Sequence, residues 1–209
     1  MFEVEAPRSK DEIGTALAVL SHELERYLEG FSNEEFYAPQ GEHWSPAEHV
    51  RHLTKSVRAV ARGMRQPRLL LRLMFGLADD HSRGFSELLE VYRQKLADGA
   101  TAGRFTPSPN KRGRDAIMEH WHIASKQLNL ALASWSEEEL GVYRLPHPLL
   151  GKLTVREMLL FTVFHNAHHA GRIRERAGDR TADLAPGPRE ATPRSANPGI
   201  AVREAREPR

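Results

Sequence analysis

The chain has 209 residues, a formal charge of only +2 and no cysteine. That length suits one domain with a tail. The missing cysteine excludes disulfide frameworks and thiolate metal sites, so any reacting thiol must come from outside and any metal must be held by His, Asp or Glu. Acidic and basic residues are interleaved rather than blocked, so despite a sequence pI of about 9.0 there is no basic stripe, and no nucleic-acid partner is expected.

Met1 to Lys10 contains Glu3, Glu5, Pro7 and Arg8 and lacks the apolar run of a secretory signal. The first helix is predicted from about Asp11 to Gly30, where Ile13, Leu17, Leu20, Leu24 and Leu28 form one apolar stripe. A short turn at Ser32–Phe36 and a loop through Pro39 and Gly41 follow. Ser45-Pro46-Ala47-Glu48 is a capping box with proline at the first helical position. Trp44 precedes it as a staple, and Val50, Leu53, Val57 and Val60 face inward until the helix ends near Gly63 or Pro67.

Leu69 to Arg83 is apolar but interrupted by Arg72, and its apolar part is too short to span a bilayer. It reads as a short helix or lid over the bundle mouth, or else as an ordinary core-packing connector. Phe85 to Leu96 adds further helical turns, and Thr101 to Gly113 is a loop rich in Gly, Pro and Ser. The third long helix is predicted from about Arg114 to Trp135, with Ile117, Trp121, Ala124, Leu128 and Leu132 on one face. A short turn at Ser136–Leu140 and a loop at His147–Gly151 lead to a second capping box, Thr154-Val155-Arg156-Glu157. The last helix carries Met158, Leu159, Thr162, His165, His169 and Ile173 and is predicted to stop near Gly178.

These elements predict an all-α four-helix bundle with extra short helices over residues 1–177. Residues 178–209 are rich in proline and mixed charge and poor in large apolar residues, which predicts a disordered tail. With neither signal nor spanning segment, a soluble, cytoplasmic protein with no membrane partner is expected. Bundles with an exposed apolar face often pair, so a homodimer is expected as well. A weak internal echo links Ser32-Asn33-Glu34-Glu35-Phe36 to Ser136-Glu137-Glu138-Glu139-Leu140, each followed by a loop and a capped helix bearing histidines. Two such hairpins would set the second and last long helices side by side.

His165-Asn166-Ala167-His168-His169 is the sharpest local signal. His165 and His169, four residues apart, share the inward helix face with Met158, Thr162 and Ile173. Two buried imidazoles without partners would cost roughly 1–3 kcal/mol each, and a shared ion such as Zn, Ni, Mn or Fe removes that cost. A third ligand must come from elsewhere: His49 and His52 lie one turn apart on the second long helix, and spacing does not choose between them. His168 rotates away, while His120 and His122 are two apart and cannot share an ion. His43, His81 and His147 are loop histidines, of which His147 could line the cavity mouth but suits a plain surface position.

The stretches Trp44-Ser45-Pro46-Ala47-Glu48-His49-Val50-Arg51-His52-Leu53 and Pro148-Leu149-Leu150-Gly151-Lys152-Leu153-Thr154-Val155-Arg156-Glu157, with His165 to Ile173, together resemble the DinB-like (DinB/YfiT-like) superfamily of bacterial four-helix-bundle metalloenzymes. The resemblance covers roughly residues 10–177. It implies metal ligands at His52, before a leucine, and at the His165/His169 pair, and so selects His52 over His49. Two positions depart from the family pattern: Asn166 stands where relatives often have an acid, and Arg172 where they often have Gln. Arg172 would bring a cation near the site and favour an anionic substrate.

Three histidines leave an open coordination position, which suits catalysis better than a closed structural site. The resemblance implies metal-dependent hydrolysis of a small-molecule substrate, or transfer of a low-molecular-weight thiol co-substrate such as bacillithiol, mycothiol or glutathione to an electrophile. The alternative is a non-catalytic, metal-stabilised bundle that binds a small molecule or a partner. No general base is identifiable, since Glu48 and Glu157 are committed to capping boxes.

Overall fold

In the computed structural model, residues 6–39, 43–79, 83–107 and 112–183 are described. Among these, the helices in chain order are α1 (Lys10–Glu29), α2 (Asn33–Tyr37), α3 (Pro46–Met64), α4 (Arg68–Phe75), α5 (Phe85–Ala97), α6 (Arg114–Ala133), α7 (Glu137–Val142) and α8 (Val155–Asp183). The strands β1 (Arg144–His147) and β2 (Gly151–Thr154) form an antiparallel hairpin just before α8. The all-α four-helix bundle is borne out: α1 and α3 each pack against both α6 and α8. Ile13 and Leu28 of α1, Val50 and Leu53 of α3, Trp121 of α6 and Val163 of α8 fill the space between them, all fully buried.

Several helix starts are fixed by side chains. Ser32 with Glu35, Ser45 with Glu48, and Ser136 with Glu139 each form reciprocal capping boxes at α2, α3 and α7. At α8, Glu157 Oε2 accepts from the Thr154 backbone N–H (2.8 Å), and the Glu157 N–H donates to Thr154 Oγ1 (3.1 Å). Both halves of the chain therefore share one plan of long helix, short capped helix and long capped helix. The sequence echo corresponds to it, and α3 and α8 lie in contact.

Three features depart from the sequence expectation. The segment around the loop His147–Gly151 folds as a hairpin, pairing Leu145 with Leu153 and His147 with Gly151. Strands of four residues are too short to leave an alternating signature, and Gly151 (φ 75°) supplies the left-handed turn geometry. The last helix runs past Gly178 to Asp183, while the expected tail at 184–209 lies outside the described residues. In the Leu69 to Arg83 stretch, α4 turns Leu70, Leu71, Met74 and Phe75 toward a cavity and leaves Leu69 and Leu73 in solvent. No helix among the described residues is long and apolar enough to cross a membrane.

Glu157 does more than cap. Its Oε1 also accepts from the Arg83 backbone N–H (2.9 Å) and from Arg83 Nε (2.8 Å), tying the start of α5 to α8. The carboxylate is only 4% exposed. Glu157→Ala removes the cap and leaves Arg83 unpaired, so a loss of about 2–3 kcal/mol in unfolding free energy is expected from chemical denaturation.

Candidate metal centre

The site forms where the first turns of α3 meet the middle of α8. His52 stands two turns into α3, on the same face as the cavity-lining Ser56, Ala59 and Gly63 and within reach of α8. One imidazole nitrogen from each of His52, His165 and His169 lies within 4.8 Å of the other two. His52 Nε2 and His165 Nε2 are 3.0 Å apart. The ring centroids of His169 lie 4.6 Å from those of both His52 and His165. The three residues singled out by sequence thus converge on one point. His52 and His165 are buried, at 4% and 5% exposure, and His169 is partly open toward the cavity.

The hydrogen bonds fix the protonation of His52. Its Nδ1 lies 3.0 Å from the Phe105 carbonyl oxygen. A carbonyl can only accept, so Nδ1 carries the proton and Nε2 is a bare lone pair aimed at His165. That is the tautomer a metal ligand needs, with its second nitrogen oriented by a carbonyl. The donor set, imidazoles without thiolate, suits zinc, nickel or iron. The 3.0 Å separation of the two Nε2 atoms lies near that of neighbouring ligands on an ion bonded at roughly 2.0–2.1 Å.

His49 is buried as well and meets His169, Nδ1 to Nδ1, at 2.8 Å. The two α3 histidines thus divide the site, His52 turning to His165 and His49 to His169. His168 is half-buried on the cavity wall beside Phe164. His120 contacts Arg112 and His122 lies 3.4 Å from Glu25, both remote from the site. His43 is exposed, and His81 lies outside the described residues.

A cavity of about 510 Å³ opens on the three histidines. Leu71, Met74, Phe75, Tyr92, Phe105 and Phe161 give it an apolar wall. Trp44 covers the site, its ring 4.9 Å from His52 and stacked on His169 at 6.0 Å. The cation expected from Arg172 is absent from the wall: Arg172 is half-exposed, with Nη1 3.8 Å from Glu175. Arg104 takes that place, its guanidinium over the Phe105 ring. His147 also lines the cavity instead of the outer surface. Sequence reasoning missed Trp44, Phe105, Arg104 and Phe161 as site residues. Phe161 carried a signal, lying one turn before His165 on its helix face, and Trp44 was noted only as a staple and as the start of the family-like stretch.

The DinB superfamily profile matches residues 16–173. The uncharacterised protein YuaE of Bacillus subtilis (strain 168) is 27% identical over 150 residues, covering 71% of this chain and 86% of YuaE. Two solved structures share the fold at 17% identity. The four-helix bundle protein TT2238 has a TM-score of 0.53, covering 80% of this chain and 99% of TT2238. The colibactin self-resistance protein ClbS, in complex with a dsDNA, has a TM-score of 0.52, covering 82% of this chain and 96% of ClbS. The ClbS complex overturns the expectation of no nucleic-acid partner. That expectation rested on a missing basic stripe and recognition helix, but contacts to the phosphate backbone need no recognition helix, and a bundle of this fold is found on duplex DNA.

Burial lowers the pKa of His52, His147, His165 and His169. At His165 and His169 burial acts first and the neighbouring imidazoles add to it, taking both well below the usual histidine value. At His52 burial is partly opposed by the Phe105 carbonyl, and at His147 burial alone takes the value to about 4. The unfolded chain protonates these rings near pH 6.5. The metal-free protein therefore holds fewer protons folded than unfolded below that pH, and its stability falls as pH drops. Thermal melts of the metal-free chain should give a steady midpoint above pH ~6.5 and a declining one toward pH ~4.

Proposed function

The chain belongs to the DinB superfamily, and from that membership we propose a metal-dependent enzyme, either a hydrolase or a transferase of a low-molecular-weight thiol. His52, His165 and His169 are the ligands of one divalent ion. The observation that carries this reading is the convergence of three imidazole nitrogens within 4.8 Å on the wall of a cavity large enough for a small molecule. A bound divalent ion supplies Lewis acidity there, polarising a carbonyl and lowering the pKa of coordinated water or thiol.

The chain's own residues supply enclosure and orientation. Trp44, Phe105 and Phe161 exclude water around the histidines, which strengthens every electrostatic interaction inside. No Asp or Glu lines the cavity among the described residues, so the proton acceptor of a carboxylate-based hydrolase has no counterpart. Thiol transfer fits that wall better. The nucleophile arrives as a co-substrate, and a chain without cysteine needs nothing more than to bind and orient it.

A second reading has its own support. ClbS, at TM-score 0.52, was solved with double-stranded DNA, which favours a non-catalytic, metal-stabilised bundle that binds a partner or a small molecule. Elemental analysis and turnover separate the two. The metal-dependent reading expects about one divalent ion per chain, near-complete loss of it in His169→Ala and His52→Ala, and thiol-dependent consumption of an electrophile that vanishes with the ion. Metal uptake without turnover across thiols and hydrolysable esters or amides selects the binding module, and His169→Ala turning over at the parent rate rejects the enzyme in this form.

A further inference from the structure

His147 is a buried polar group of the cavity that the metal-dependent reading leaves unused. It ends β1, and its Nδ1 accepts two backbone N–H groups of the hairpin turn, from Leu149 (3.2 Å) and Leu150 (3.1 Å). A ring nitrogen that accepts two hydrogen bonds has no proton of its own, so the neutral ring carries its proton on Nε2. Burial takes its pKa to about 4, so the ring stays neutral at physiological pH. With the Nδ1 edge turned to the backbone, the Nε2 edge is the part left to meet the cavity that the ring lines.

The surroundings limit what that N–H can meet. His147 stands edge-on to Phe161 at 4.4 Å, and Phe161 stacks on His165 at 5.3 Å. One aromatic ring therefore separates His147 from the histidine cluster. The wall is apolar, its formal cation is Arg104, and no carboxylate lines it among the described residues. A cationic ligand would find no counter-charge there, and a wholly apolar one would leave the Nε2–H without an acceptor, which costs free energy.

We propose that the cavity takes an apolar carbonyl compound of the amide or ester class, neutral or anionic, and that His147 donates Nε2–H to a carbonyl oxygen of it. The cavity is here the substrate site of the metal-dependent reading, on which this substrate class rests. His147 is a specificity-determining donor: the turn backbone fixes its tautomer, and rotation about the ring bond would forfeit both N–H contacts.

The test titrates the full chain, zinc-loaded and metal-free, with phenylacetamide and with phenethylamine, a cation of similar size, by calorimetry. The amide should bind in both forms, and the amine at least about tenfold more weakly. His147→Phe should weaken the amide by about fivefold or more while zinc content stays at the parent level. His147→Asn guards against a collapsed hairpin: its amide oxygen can still accept the turn N–H groups, but its shorter side chain does not extend into the cavity. It should lose amide affinity as His147→Phe does. No amide binding, equal binding of the amine, or parent-like amide affinity in both variants overturns the assignment. A chain that takes up no zinc yet binds the amide through His147 rejects the metal reading alone. Zinc uptake without any dependence on His147 rejects the donor alone.

Discussion

The burial of imidazole nitrogens at the seam between α3 and α8 is the constraint around which this bundle is arranged. An unpaired polar nitrogen in an apolar interior costs roughly 1–3 kcal/mol, and here several are enclosed together. Several are answered by specific neighbours. His52 gives its Nδ1 proton to Phe105 and points Nε2 at His165, and His169 meets His49. The 101–106 segment is drawn onto α3 by the His52 bond and by Lys55 Nζ donating to the Thr106 carbonyl. Trp44 and Phe161 then pack against the cluster beside the cavity. Fold and site are one arrangement, because the apolar packing that stabilises the bundle is also what dries the histidines.

Convergence of two helices on one point needs their rotations fixed, and the capping boxes supply that. His52 lies seven residues beyond the Ser45 cap, and His165 lies eleven beyond Thr154. At about 100° per residue these are close to two and three whole turns, so each histidine projects on nearly the same side as its own cap. One residue inserted between cap and ligand would turn the ring by about 100° and out of the cluster. Glu48 and Glu157 therefore serve the site without touching it, and the Arg83 pairing of Glu157 extends the same anchor to the cavity wall at α5.

What was legible in the sequence is what has a period or a start signal. The stripes of Ile13 to Leu28 and Ile117 to Leu132, both capping boxes, and the placement of His165 and His169 on one face follow from helix geometry alone. The choice of His52 over His49 did not follow from spacing, since residues three apart share a face and both rings are in fact buried beside His169. It followed from family resemblance. The rest depends on chain segments brought together from far apart. Arg104 and Phe105 sit in a single 3-10 turn (Gly103–Phe105) with no periodic signal, and Phe105 is some fifty residues from the His52 it bonds. His147 looked like a surface histidine because two four-residue strands leave no alternating pattern to reveal the hairpin that turns it inward.

The charge inventory of the cavity narrows the chemistry further than the histidines do. Hydrolysis needs a group to take a proton from water and a group to return one to the departing atom. Carboxylates usually serve, but Glu48 and Glu157 are held in caps and no acid lines the wall among the described residues. His147 can donate but not accept, because both of its turn contacts occupy Nδ1. A thiol is more acidic than water by many pKa units, so its activation beside a divalent ion asks far less of a neighbouring base. On the proposed metal-dependent reading, the acid-free wall thus weighs toward thiol transfer rather than hydrolysis.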